Sequence, residues 1–98
     1  MKSERHILSV IVPIYGVERY IARFAESLLG QTFTDVEFVF VNDGTKDRSI
    51  EILQEIIDSR YSHLRPNIRL VNKANEGLPK ARETGLRHAT GEYVLFAD

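Results

Sequence analysis

Cysteine is absent from the 98 residues. That excludes a disulfide-stapled scaffold, a thiolate metal site and a cysteine nucleophile, and it is compatible with a reducing compartment. Charge of one sign is not in surplus either: thirteen Lys and Arg stand against fourteen Asp and Glu, a formal net charge of −1. The broad cationic field of a non-specific nucleic-acid binder is therefore missing, and no nucleic-acid partner is expected. Long apolar runs are missing too. The first apolar stretch, residues 7–14, is too short to cross a membrane and carries no small-residue cleavage pattern, so a soluble, cytoplasmic chain is expected. Three loop signatures also fail to appear. Pro13-Ile14-Tyr15-Gly16-Val17 stands where a dinucleotide-binding Gly-x-Gly-x-x-Gly would follow the first strand, and there is no P-loop and no Gly-x-Ser-x-Gly elbow.

What is present is an ordinary globular composition, 43% hydrophobic and 28% charged, in a length that holds one core. Leu8-Ser9-Val10-Ile11-Val12 and Val36-Glu37-Phe38-Val39-Phe40-Val41 are runs of branched and aromatic residues closed by turn formers, so both predict strands. Neither alternates cleanly, which is the pattern of parallel strands covered on both faces. Residues 18–29 carry Tyr20, Ile21, Phe24 and Leu28 at helical spacing, with Gly30 as a stop. Residues 49–60 predict a second helix, Ile50, Leu53, Ile56 and Ile57 inward and Glu51, Glu55 and Asp58 outward. Ile68-Arg69-Leu70-Val71 alternates partly, as an edge strand does. Residues 78–89 predict a third helix whose face of Leu78, Ala81, Gly85 and Ala89 allows close approach to a sheet. Tyr93-Val94-Leu95-Phe96-Ala97 is apolar throughout and predicts a centrally placed fourth strand.

Strands and helices alternating this way, joined by right-handed crossovers, predict an α/β, doubly wound, mainly parallel sheet with helices on both faces. The economical strand order is 3-2-1-4. Ligands of such sheets bind beyond the carboxyl ends of the strands, at the switch between strands one and four. Residues 13–15, 42–44, 72–77 and 98 fall there. Asp43 has two readings, an Asx turn or a ligand contact, and its place at a strand end favours the contact. Asp47 is read as a helix cap. Asp98 alone is weak evidence for a cation site, and Arg82 alone reads as a solvated helix residue. His6, His63 and His88 share no ligand spacing and read as surface residues.

Taken together, these segments resemble the inverting family 2 glycosyltransferases of GT-A fold, from residue 8 to residue 98. Ser9-Val10-Ile11-Val12-Pro13-Ile14-Tyr15 resembles the family's first strand and Pro-x-Tyr-Asn turn, with Gly16 in place of Asn. Leu28-Leu29-Gly30-Gln31-Thr32-Phe33 is similar to its Ser-Leu-x-x-Gln-Thr segment. Val41-Asn42-Asp43-Gly44-Thr45-Lys46-Asp47 resembles Val-Asp-Asp-Gly-Ser-x-Asp, with Asn42 for the first Asp. Asn75-Glu76-Gly77 with Ala81-Arg82-Glu83 resembles Asn-x-Gly-x-x-x-Ala-Arg-Asn. The final run, Thr90-Gly91-Glu92-Tyr93-Val94-Leu95-Phe96-Ala97-Asp98, looks like the approach to Asp-x-Asp.

The resemblance implies transfer of a sugar from a nucleotide-diphosphate donor, often UDP-linked, to an acceptor hydroxyl with inversion. Pro13 and Tyr15 would line the uracil pocket with Glu18 nearby, Asp43 would bond the uracil ring, and Arg82 would lie toward base or phosphates. Asp98 would serve the ribose and, in part, a divalent Mn2+ or Mg2+. The second Asp, the acceptor site and the catalytic base are expected beyond residue 98. The chain then reads as the nucleotide-sugar-binding part of a GT-A domain, with no catalytic residue of its own and weak metal binding. An exposed flank of the fourth strand would favour self-association. A non-catalytic nucleotide-binding or folding module is the alternative. A nucleotidyltransferase would need a Gly-rich, basic loop between Val12 and Glu18, which is absent.

Overall fold

The computed structural model describes residues 6–31 and 34–97. Its elements run β1 (Leu8–Ile14), α1 (Ile21–Leu29), β2 (Val36–Asp43), α2 (Ser49–Arg60), a 3-10 turn (Ser62–Asn67), β3 (Ile68–Lys73), α3 (Leu78–His88) and β4 (Tyr93–Phe96). All strand pairs are parallel, in the order β3-β2-β1-β4. The two apolar runs become the inner strands because each has apolar side chains on both faces. Val10, Val12, Ile14, Val36, Phe38 and Phe40 pack toward α1 and α2, meeting Ile21, Ala25, Leu29, Leu53 and Ile57. Ile11, Val39 and Val41 point the other way, to Ala81 of α3. Each fully buried Ile, Val or Phe contributes about 1.5–3 kcal/mol through lost apolar hydration, so the inner strands and their helices hold the fold.

Three expectations change. The first helix begins at Ile21 and not at residue 18, because the preceding amides are captured elsewhere. Gly16 N–H donates to Thr45 Oγ1, Val17 N–H to Ser49 Oγ and Glu18 N–H to Asp47 Oδ2, tying this turn to the loop after β2. The buried stripe is accordingly Ile21, Ala25 and Leu29, with Tyr20 67% exposed. Gly30 ends the helix in right-handed geometry, its N–H donating to Glu26 O, so it is a stop without a left-handed residue. Among the described residues β4 is an edge strand and not a central one. It pairs with β1 only, and all four of its residues are exposed.

His6 also departs from its surface reading. It sits half-buried where the amino ends of the strands meet, with Nδ1 3.2 Å from Thr90 Oγ1 and Nε2 3.3 Å from Asn67 Oδ1. Beside it, at 3.8 Å, is Glu37, a carboxylate on the α3 face of β2 that is 3% exposed. Glu37 Oε2 accepts Ser9 Oγ–H at 2.6 Å and Thr90 N–H at 2.5 Å, and Ser9 Oγ in turn accepts Gly91 N–H at 2.8 Å. The carboxylate therefore fastens the turn between α3 and β4. Burial would raise its pKa, but the bonds from Ser9 and Thr90 and the nearby His6 outweigh burial and hold it below its ordinary 4.5. A depressed carboxylate stabilises the fold above its unfolded value and loses that contribution as pH falls through the folded one. Chemical denaturation between pH 6 and 3 should show stability declining below about pH 4.5, with a shallower decline in Glu37→Gln. Equal slopes for the two proteins would remove Glu37 from the linkage.

Candidate functional site

The carboxyl ends of β1 and β2 and the loop from β3 into α3 enclose a crevice of about 470 Å³. Pro13, Ile14, Tyr15 and Val17 form one wall; Asp43, Asn75, Gly77, Leu78 and Ala81 form the other. Tyr15 is 55% exposed, so its ring is available to a ligand. The crevice lies beyond the carboxyl ends of the strands, the side on which ligands of such sheets bind.

Asp43 organises the opposite wall. The parallel register sets it beside Lys73, whose Nζ donates to Oδ1 at 3.1 Å. Oδ1 also accepts Glu76 N–H at 3.0 Å, while Oδ2 accepts Gly77 N–H at 3.0 Å and Asn75 Nδ2–H at 3.3 Å. Asn75 Nδ2 donates to the Asp43 backbone carbonyl as well, at 2.9 Å. Burial alone would raise the carboxyl pKa, but the Glu76 N–H, the Lys73 ammonium and the Gly77 N–H hold it below 3.8. Lys73 is raised above its ordinary value, first by Glu76 at 2.9 Å and then by Asp43. The side chain thus uses both of its oxygens on its own chain, and it shapes the crevice by fixing residues 75–77. Gly44 and Gly77 make this closure possible, with φ of 67° and 97°, and a Cβ on Gly44 would lie 2.6 Å from Asn75 N.

Asp47 acts at the start of α2, as its capping reading expects. Its Oδ1 accepts Ser49 N–H at 3.1 Å, Ser49 Oγ–H at 2.6 Å and Thr45 Oγ1–H at 2.7 Å. Ser49 first, then Thr45 and the amides of Ser49 and Glu18, lower its pKa to about 2. Asn42 completes the turn, accepting Thr45 N–H at 3.0 Å and donating to Asn72 Oδ1 at 2.9 Å.

Of the residues singled out from sequence, the structure brings Pro13, Tyr15 and Asp43 together in one crevice. Glu18 lies outside its lining and clips two loops together, its Oε1 accepting Arg48 N–H at 3.0 Å. Arg82 stands one turn into α3 with its guanidinium 5.7 Å from the Phe96 ring centre, so it faces the end of β4. Asp98 lies outside the described residues. Among the described residues no three His, Cys, Asp or Glu side chains gather to hold a metal, so the part of a divalent ion is carried by no geometry here. Lys73 was missed by sequence reasoning. Nothing in a partly alternating edge strand distinguishes it until the register pairs it with Asp43.

No helix among the described residues is long and apolar enough to cross a membrane. The glycosyltransferase EpsJ of Bacillus subtilis is 45% identical over 92 residues, 94% of this chain and 25% of that protein. Glycosyltransferase GlyA of Streptococcus pneumoniae is 41% identical over 91 residues, 93% of this chain and 12% of that protein. Among solved structures, S. aureus TarS 1–349 in complex with UDP superposes with a TM-score of 0.78 at 34% identity, covering 94% of this chain and 27% of that one. The mannosyltransferase PcManGT from Pyrobaculum calidifontis, in complex with GDP-Man and Mn2+, gives a TM-score of 0.79 at 27% identity, with 94% and 27% coverage. The chain spans about a quarter or less of the length of these relatives. The model of glycosyl transferase family 2 matches residues 9–98, and this chain belongs to that family, with the GT-A fold.

Proposed function

We propose that residues 1–98 form the nucleotide-sugar-binding part of a GT-A domain and hold a donor, a UDP-sugar by preference, for inverting transfer to an acceptor hydroxyl. The observation that carries this reading is the crevice itself: Pro13 and an exposed Tyr15 face a wall fixed by Asp43, beyond the carboxyl ends of the strands. A planar base fits between the Tyr15 ring and the 75–77 backbone, since aromatic faces favour offset stacking. The Asp43 carboxylate supports the reading by holding that backbone in place. The UDP complex of TarS and the GDP-Man complex of the mannosyltransferase support the ligand class.

In transfer, the roles this chain supplies are binding and orientation of the donor, which lower the entropic barrier to the chemical step. A divalent ion held with help from Asp98 would neutralise the leaving diphosphate. The group that deprotonates the acceptor is assigned to no residue of this chain, so the 98 residues alone are proposed not to turn over. A ¹⁵N–¹H titration with UDP, with and without Mn2+, is the test. Saturable shifts at Tyr15, Val17, Asn75 and Gly77 are expected. Shifts confined to other surfaces, in a well-dispersed spectrum, would rule out the crevice as the donor site. UDP binding without turnover in a longer natural chain that includes the following residues would favour the non-catalytic module.

A further inference from the structure

Asp47 does more than begin α2. Its Oδ1 accepts the hydroxyl protons of Thr45 at 2.7 Å and Ser49 at 2.6 Å, and because an ionised carboxylate only accepts, it fixes which way both hydroxyls point. Their lone pairs are left for other donors. Thr45 Oγ1 takes Gly16 N–H at 2.8 Å, Ser49 Oγ takes Val17 N–H at 3.0 Å, and Asp47 Oδ2 takes Glu18 N–H directly at 3.2 Å. One carboxylate thereby orients the successive amides of the turn after β1. Glu18 returns a bond, its Oε1 accepting Arg48 N–H at 3.0 Å. This clasp is moored to the sheet, because Thr45 N–H donates to Asn42 Oδ1 at 3.0 Å and Asn42 belongs to β2.

Packing does not hold the Tyr15 turn by itself. Strand β1 ends at Ile14, Tyr15 is exposed, and Gly16 sits at φ 64° with open space where a Cβ would stand. Glycine has the widest backbone freedom, so a turn that passes through it keeps one shape only where its amides are bound. From this arrangement we infer that Asp47, acting through the hydroxyls of Thr45 and Ser49, is a positioning residue for the donor, holding the Tyr15 wall of the crevice as Asp43 holds the wall opposite. Both carboxylates lie on the short segment between the end of β2 and the start of α2, so one loop carries the anchors of both walls. This rests on the donor reading, since the Tyr15 wall matters to binding only if the crevice holds the donor. Neither Asp47 nor Thr45 lines the crevice, so their effect on a ligand runs through the turn. A wall fixed in advance needs no ordering when the base arrives, and such preorganisation raises affinity without adding a contact.

Thr45→Val separates the two duties of Asp47. It removes the acceptor of Gly16 N–H and leaves Ser49 N–H and Oγ–H on Oδ1 to start α2. The test is a ¹⁵N–¹H titration of the chain with UDP, read together with amide exchange. Thr45→Val should bind UDP about five- to thirtyfold more weakly, the equivalent of ordering one residue on binding. Its Gly16 amide should exchange faster, while the Gly77 amide keeps its wild-type rate and circular dichroism its wild-type form. Thr45→Ser restores the hydroxyl and should recover most of the affinity, which a change of shape alone would not do. In a Tyr15→Ala background Thr45→Val should weaken UDP by less than about twofold more, since the wall it steadies is gone. Equal UDP affinity of wild type and Thr45→Val overturns the inference and leaves the donor reading intact. So do multiplicative losses with Tyr15→Ala, which would route the effect past Tyr15. Exchange of the Gly16, Val17 and Glu18 amides at open-chain rates in the unliganded wild type overturns it without any variant. Slow exchange there with no UDP binding removes the donor reading, and the positioning role with it.

Discussion

Asp43→Ala should lose about 3 kcal/mol of stability and all measurable UDP binding at the crevice. The buried carboxylate accepts from an ammonium, two backbone amides and an amide side chain, and truncation leaves these donors facing an apolar methyl. Removing one partner of a buried, hydrogen-bonded charge pair costs about 3–5 kcal/mol. The lower end applies, because Lys73 retains Glu76 at 2.9 Å. The more telling variant is Asp43→Asn, which keeps the shape. One oxygen can still accept from Lys73 and Glu76 N–H, but its NH2 must then face the Gly77 N–H and the Asn75 amide, donor against donor. Residues 75–77 should release from the end of β2, which exchange of the Gly77 amide would report. If the Asn variant exchanges like wild type and binds UDP equally well, the carboxylate is dispensable to the wall. Stability of the wild type should also fall with pH below about 4 through this group, since its folded pKa lies under 3.8.

The parts of this structure that were legible in the sequence are those fixed by pattern. Continuous branched runs identified β1 and β2 as inner parallel strands, and from them the order 3-2-1-4 and the place of the crevice followed. Helix α2 was readable end to end because its apolar period and acidic outer face coincide. What stayed hidden depends on contacts between segments far apart in the chain. The start of α1 is displaced by Thr45, Asp47 and Ser49, thirty residues away, and no local propensity reports that. Glu37 looks like an interruption of an apolar strand until Ser9, pairing with it in register, supplies a hydroxyl. Lys73 is likewise defined by its cross-strand neighbour. Asp43 was marked by its position at a strand end, but its use of both oxygens on residues 73–77 required the folded loop.

Gly85 carries the second large effect, and it links packing to the site. The small face of α3 lets the helix approach the sheet so closely that a Cβ on Gly85 would lie 2.3 Å from Ile11 Cγ2 and 3.3 Å from both Ile11 Cγ1 and Val41 Cγ2. Carbon atoms pack at about 3.5–4.0 Å, so the overlap is severe. Ile11 is wholly buried between two strands and cannot swing aside. Gly85→Ala gains about 1 kcal/mol in helix propensity, yet overpacking costs about 1–3 kcal/mol or more, and the collision should win. A net loss of about 1–2 kcal/mol corresponds to a fall in Tm of roughly 5–15 °C for a chain of this size. Gly85→Val adds two further carbons at the same point and should lose the cooperative transition. The mechanism is separable from propensity by a double-mutant cycle. In an Ile11→Ala background the severe contact with Ile11 is gone and only the milder one with Val41 remains, so Gly85→Ala should turn neutral or stabilising, with a coupling energy above about 1 kcal/mol. Additive effects would mean that the close approach is not what glycine serves. Because α3 starts at Leu78, directly after the wall held by Asp43, lifting it from Ile11 should also draw residues 75–77 from the crevice. Gly85→Ala should therefore weaken UDP binding from a distance, and Ile11→Ala/Gly85→Ala should recover part of it.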